Sequence, residues 1–312
     1  MSERDMENPK TPHIDHNADS AWQIRRDRYR FYLRTLKLAW HAYAKDKAAL
    51  GALIFLAIVV LISLFAPYIS PYDPADAVAE MNAPPGVEGL LLGADTDGRD
   101  ILSRLFWGGR IALLVGIGPT VAATVLSLIL GLAAGYIGGW FDQVVMRIVD
   151  VVFAFPLVLL AIVIAGVLEP GVVTVILAIT IALMPYIARL VRTTTMSIKQ
   201  QPYVEAARAG GAGSMAIILR YILPNMLPPV LVFATTLIGL MMVVGSGLSF
   251  LGLGIQPPEA DWGTMVAEGR GFLRKAPHVT IFPGVVIVLV ALSFNFIGDG
   301  LRDALDPRRR SR

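Results

Sequence analysis

Six stretches of this chain approach or exceed the roughly 20 mainly apolar residues that a helix needs to cross a bilayer. They cover residues 50–69, 111–136, 144–168, 172–188, 227–253 and 278–297. Runs of this length predict an all-α, polytopic membrane protein with six transmembrane helices. Composition agrees: 16% of residues are charged, against about 25% in soluble domains, and mean hydropathy is +0.62. Gly131 and Gly135 in the second stretch form a GxxxG spacing, which predicts close approach of a neighbouring helix.

Charge sets the orientation. Arg25, Arg26, Arg28, Arg30, Arg34, Lys37, Lys45 and Lys47 precede the first span, and Arg302, Arg308, Arg309 and Arg310 follow the last. Positive residues favour the cytoplasmic side, so both ends are expected inside. The loop after the fourth span, with Arg189, Arg192, Lys199 and Arg208, then falls inside as well. The expected layout is a polar tail at 1–22, a basic amphipathic interfacial helix at 23–47, and a first span with its extracytoplasmic loop at 48–110. A five-helix core at 111–304 follows, with a cytoplasmic loop at 195–225, and then a basic tail at 305–312. The first apolar run lies far from the start and lacks a small-residue cleavage site, so it is expected to stay as an anchor.

Several chemistries are disfavoured. There are no cysteines, and His13, His16, His41 and His278 lack metal-ligand spacing. No GxxxxGK[ST] is present, so no nucleotide is expected on a P-loop. The acidic stretch Asp95–Asp100 misplaces the glycine of a calcium loop and has Phe106 at its twelfth position; it reads as an ordered outer turn leading into the next helix. Ionisable residues are absent from the span centres, which argues against a proton-driven carrier. Arg147 with Asp150, and Asp299 with Arg302, read as interfacial ion pairs at helix ends. An intramembrane hydrolase using Asp150 and Asp299 is disfavoured by the missing GxGD setting and by an arginine three residues from each.

The cytoplasmic loop has its own grammar. Pro202 suits a first helical position and Glu205 the first turn. Ala206, Ala207 and Ala209 make a slim face, and Gly210–Gly211 a stop. Ser214 is expected to cap a second short helix over 215–223, which Pro224 ends or kinks. Pro224, Pro228 and Pro229 are expected to mark an angled entry into the fifth span. This unit is either a surface connector or a short helix that seats in a groove of a cytoplasmic partner.

Glu205-Ala206-Ala207, Gly211 and Ile222-Leu223-Pro224 resemble the EAA signature of ABC-importer permeases. LLGADTDGRDILSRLFWGGR (91–110), GGWFDQVVMRIVDVVFAFP (138–156), SFLGLGIQPPEADWGTM (249–265) and NFIGDGLRDALDPR (295–308) are similar to the C-type permease subunit of the dipeptide/oligopeptide/nickel subfamily. The resemblance runs from about Arg34 to Arg308; Ala94 and Tyr221 depart from its usual threonine and histidine. It implies a type I importer permease fold in the bacterial inner membrane, a homologous second permease, two cytoplasmic ATPase subunits carrying ATP and Mg, and an extracytoplasmic binding protein. No nucleic acid is implied, and no cofactor on this chain. The resemblance makes Glu205, Ala206, Ala207, Gly211, Leu223 and Pro224 the ATPase-coupling residues. Thr124, Thr180, Thr235, Ser246, Ser249 and Asn295 are expected along the path. A self-sufficient secondary transporter is the alternative.

Overall fold

The structure is a computed structural model that describes residues 40–87 and 89–305. The tail at 1–22, most of the interfacial helix at 23–47 and the basic tail at 305–312 fall almost wholly outside them. Every regular element among the described residues is helical. They are α1 (Lys47–Leu64), α2 (Ala66–Ile69), α3 (Ile101–Ile137), α4 (Gly139–Phe153), α5 (Leu157–Val167), α6 (Val172–Lys199), α7 (Pro202–Ala209), α8 (Ser214–Ile217), α9 (Leu223–Phe250), α10 (Trp262–Gly269) and α11 (His278–Leu305).

Two belts of contacts define the ends of the molecule. At one end Tyr43 and Ala49 crowd Gly300 of α11, and the Tyr43 hydroxyl donates to the Ala49 carbonyl at 3.0 Å. The start of α1 and the end of α11 therefore lie on one side, with the end of α6 and the start of α9 beside Asp299 and Arg302. At the other end Trp262 fills the space left by Gly108 and Gly109 near the start of α3, where Ser63 from the end of α1 also arrives. The Trp262 indole donates to the Leu105 carbonyl at 2.9 Å.

Since α3 ends on the first side and α6 begins on the second, residues 138–171 must cross between them. They do so as a broken pair, α4 and α5, bent by 85°. An α5 of 11 residues extends only about 16 Å, too short to cross alone. The count is thus five straight spans plus one broken one, which gives the six crossings with both ends on one side. The expected straight third span is corrected to this bend. Pro156 causes it: proline cannot continue the ladder and restricts the residue before it.

Two other boundaries differ from expectation. The second span begins at Ile101, not residue 111, because Asp100 caps it by accepting from the Ser103 amide at 2.9 Å. The fifth span is not entered at an angle. From Ser214 to Phe250 the helix is continuous over 37 residues, with a π-helical stretch Ile218–Ile222 that relaxes the ladder ahead of Pro224. Pro224 thus starts α9 and does not end a helix. Ser214 is the first residue of α8 and not its cap; Gly213 holds that position without a side-chain bond.

The GxxxG expectation holds. A Cβ on Gly131 would sit 2.7 Å from the Ala188 carbonyl, and one on Gly135 2.8 Å from the Arg192 carbonyl. Around this seam lies the main apolar core, including Ile179, Leu183, Ile187 and Val191. Gly131→Leu is expected to part α3 from α6 at a cost of about 3 kcal/mol through overpacking, seen as a lower melting temperature in detergent.

Candidate functional site

The helix α7 leaves the end of α6 through a two-residue link. Lys199 secures this junction, its Nζ donating to the Tyr136 carbonyl at 2.5 Å. Gln201 donates its amide to the Ile198 carbonyl at 3.0 Å, and Val204 to Gln201 at 2.9 Å, so the link is itself a turn. Val204 is fully buried and packs with Ile217, Ile222 and Tyr136, which pins α7 to the π-helical turn ahead of α9. One face of α7 is therefore an anchor. Glu205, Ala206 and Arg208 on the other faces are exposed, and Ala207 is half-buried.

Gly211 ends the helix in the left-handed region, φ +82°. Its amide donates to the Arg208 carbonyl and that of Ala212 to the Ala207 carbonyl, each at 3.0 Å. This is the Schellman arrangement, with glycine where the positive φ is needed. A side chain at Gly211 would meet nothing within 4 Å. Leu223 is half-buried and Pro224 exposed at the start of α9. Sequence reading passed over Tyr203, Met215 and Leu219, exposed by 43%, 66% and 53%. Large apolar side chains in an otherwise polar loop were the available signal, and with exposed Glu205, Arg208 and Arg220 they give this end a mixed apolar and charged surface.

The six path residues separate into groups. Thr124 and Thr180 are buried on α3 and α6, and Thr124 donates back to the Thr120 carbonyl at 2.7 Å. Ser246 backs onto Gly263 of α10, and Ser249 is buried and bonded to Asp261. Thr235 and Asn295 are half-buried. Asn295 lines a groove of about 450 Å³ between α9 and α11, walled by Thr236, Leu240, Val243 and Leu292. Thr236, absent from the sequence reading, is shared with a second groove of about 560 Å³ that reaches Asp299 and Arg302.

The expected ion pairs are re-partnered. Asp150 accepts from Arg189 of α6 at 2.6 Å, not from Arg147, because Arg189 also lies 3.6 Å from the Phe153 ring centroid and gains from both. No ion pair joins Asp299 to Arg302 among the described residues; both line the open groove, where water screens them. Asp150 and Asp299 line separate hollows, so they do not form a shared-proton pair.

Residues 123–311 match the model of the binding-protein-dependent transport system inner membrane component, and residues 35–85 that of the N-terminal TM domain of oligopeptide transport permease C. The chain belongs to this family of inner-membrane permeases. It is 42% identical over 274 residues to the glutathione transport system permease protein GsiD of Pectobacterium atrosepticum, covering 87% of this chain and 91% of that one. It is 39% identical over 286 residues to the di/tripeptide transport system permease protein DppC of Pseudomonas aeruginosa, covering 90% and 94%. The inward-facing MetNI methionine ABC transporter shares the fold, with TM-score 0.55 and 20% identity over 65% of this chain and 97% of that one. The chain is thus a transmembrane permease subunit of a binding-protein-dependent ABC importer.

On the outer side of the permease the Asp95–Asp100 turn is held by ions of its own chain. Arg99 donates to Asp95 at 2.8 Å, to Asp97, and to Glu268 of α10 at 3.3 Å. Arg104, fully buried on α3, reaches Asp95 and, at 3.0 Å, Glu268. Burial works against the Arg99 charge, but the Asp95 and Glu268 carboxylates outweigh it and raise its pKa. No sequence period links Arg104 to Glu268, 164 residues away, and this cluster went unread.

Nearby, Asp261 caps α10, accepting from the Thr264 amide at 3.1 Å. Burial pushes its carboxyl above the usual range despite bonds from Thr264 and Ser249. A raised folded-state pKa means that the permease loses stability as pH climbs from the ordinary carboxylate range through the raised one. Asp261→Asn, which keeps a capping oxygen, is expected to flatten that slope in melting curves taken upward in pH from the ordinary carboxylate pKa of about 4.

Proposed function

We propose that this permease passes small peptides or peptide-like solutes of di- to tripeptide size, and that α7 is the helix through which ATPase subunits drive it. The observation that carries the reading is α7 itself: a helix anchored by one buried valine, stopped by a glycine with open space around it, and presenting Glu205 beside exposed Tyr203, Met215 and Leu219. Short helices with a small-residue face are a recurrent form of groove-seated contact. A carboxylate in the first turn complements an arginine of the groove.

Substrate class rests on two supports. The relatives are named for glutathione and for di- and tripeptides. The groove around Asn295 is largely apolar, with Thr236 and Asn295 as neutral hydrogen-bonding groups, and the adjoining groove adds Asp299 and Arg302, one charge of each sign, which suits a zwitterionic peptide. The path is completed by a homologous second permease, and the solute is delivered by an extracytoplasmic binding protein. ATP and Mg reside on two cytoplasmic ATPase subunits, whose closure carries α7 and rocks α6 and α9 between two arrangements.

Reconstitution tests this. Proteoliposomes holding the permease pair, the ATPases and the binding protein are expected to take up labelled di- and tripeptides only with ATP inside the cytoplasmic face. Uptake by this chain alone under an ion gradient would refute the coupled reading in favour of a secondary transporter.

A further inference from the structure

The GGWFDQVVMRIVDVVFAFP block has no part in either the coupling contact or the grooves. It forms α4 and the bend that follows. Resting on the coupling role of α7 proposed above, we propose that Asp142 and Asp150 are positioning residues that latch α4 to the cytoplasmic end of α6, so that α7 moves α4 as a lever on the broken third span.

The latch is two-pointed and antiparallel. Asp142 accepts twice from Arg192, Nε to Oδ1 and Nη2 to Oδ2, each at 2.5 Å. Paired, planar bonds of this kind fix orientation as well as distance. Eight residues on, Asp150 accepts from Arg189, which precedes Arg192 by three positions on the same face of α6. Arg189 also covers Phe153, whose ring lies 4.9 Å from that of Tyr186 on α6. The second tie thus sits at the last turn before the 85° break.

The other face of α4 is exposed among the described residues. Trp140, Ile148 and Val151 are exposed by 76%, 61% and 58%, while the inner face buries Val149 and sets Phe153 against Tyr186, so the charged pairs add orientation to a small apolar contact. Two residues past Lys199, α7 begins, and the backbone turn across that link makes α6 and α7 one stiff unit. Displacement of α7 therefore reaches α4 through Arg192 and Arg189. Because α4 and α5 meet at a sharp break, rotation of α4 swings α5 within the membrane. Two charge pairs, their aspartates eight residues and about 12 Å apart on α4 and their arginines three residues and about 4.5 Å apart on α6, oppose sliding and rotation together.

The test uses the complete transporter in proteoliposomes. Asp142→Arg and Arg192→Asp, each alone, are expected to keep the ATPase subunits bound and hydrolysing while solute imported per ATP falls by about tenfold. The swapped pair, Asp142→Arg with Arg192→Asp, and the conservative Asp142→Glu are expected to restore the ratio. An unchanged ratio in the singles would overturn the latch; so would loss of the ATPases from the complex, since the pairs would then serve docking. If the singles fail to assemble in the membrane, the milder Asp150→Asn replaces them with the same readout. A second measurement does not depend on transport. The chain has no cysteines, so spin labels at Ile148→Cys and Gln201→Cys report, within this chain, on α4 and on the link that starts α7. Their separation is expected to stay constant between ATP-bound and ATP-free complexes, and to change with ATP when Asp142→Arg is added. A separation that changes with ATP in the unaltered latch would overturn the proposal. Failure of the coupling role of α7 itself looks different: Glu205→Arg would then keep both its ATPase subunits and its ATP-driven uptake.

Discussion

Glu205→Arg is expected to abolish ATP-driven uptake while leaving the permease folded and in the membrane. Glu205 is exposed at the start of α7, and this chain offers it no ion-pair partner among the described residues. Reversal of its charge thus leaves the fold undisturbed. In a seated complex it would place like charges together at the groove. Disrupting a desolvated charge contact costs about 3 kcal/mol, roughly a hundredfold in affinity. Co-purification of the ATPase subunits and labelled-peptide uptake should fall together, with membrane content unchanged. Gly211→Leu separates two effects at the same site. The left-handed φ costs about 1–2 kcal/mol for any side chain, and the side chain itself projects into open space that a docked subunit would fill. Gly211→Ala is therefore expected to weaken association mildly and Gly211→Leu severely. Retained association in Glu205→Arg and Gly211→Leu would remove α7 from the coupling role.

The second large effect is expected at the opposite face. Arg104 is wholly buried and ties α3 to the 95–100 turn through Asp95 and to α10 through Glu268. Arg104→Met removes one cation from a buried set of carboxylates, and breaking such a set from one side costs about 3–5 kcal/mol. Arg99 stays in contact with both Asp95 and Glu268, which holds the loss to the lower end, about 3 kcal/mol. Faster amide exchange should appear first in residues 70–100 and in α10, while α7 and the α3–α6 seam keep their protection. Glu268→Gln, which keeps a hydrogen-bond acceptor, is expected to lose less. Equal exchange in Arg104→Met and the parent would show that the outer loops are held by apolar packing alone.

How much of this was legible depended on the range of the interaction. Apolar length located the membrane-crossing stretches, and the cytoplasmic helix–stop unit was readable down to the glycine at its C′ position, because a helix start, a first-turn carboxylate and a left-handed stop are all encoded within ten residues. The bend after Phe153 was only half readable: Pro156 was visible, but an apolar run on either side of it looks like one straight helix until its ends are placed on opposite sides of the molecule. Ser214 was misread as a cap, and of the two roles expected for Pro224, ending or kinking the helix, the structure rules out the ending, because local rules rank residues singly. In the folded chain a π-helical turn absorbs the proline and merges the short α8 with the long α9 into one helix.

Charge partners show the division most clearly. By spacing, Arg147 was the natural partner of Asp150, three residues away; the structure gives that role to Arg189, 39 residues on. Likewise Glu268 meets Arg104 across 164 residues, and Thr236 joins Asn295 only because Gly239 and Gly298 let α9 and α11 approach closely. The chain by itself determined that it is a helical membrane protein with a helix–stop unit in the loop after its fourth span, since transfer free energy and backbone capping act on neighbouring residues. Which charges pair and which hydroxyls face a groove were decided by tertiary packing, because those outcomes depend on distances that no local pattern carries.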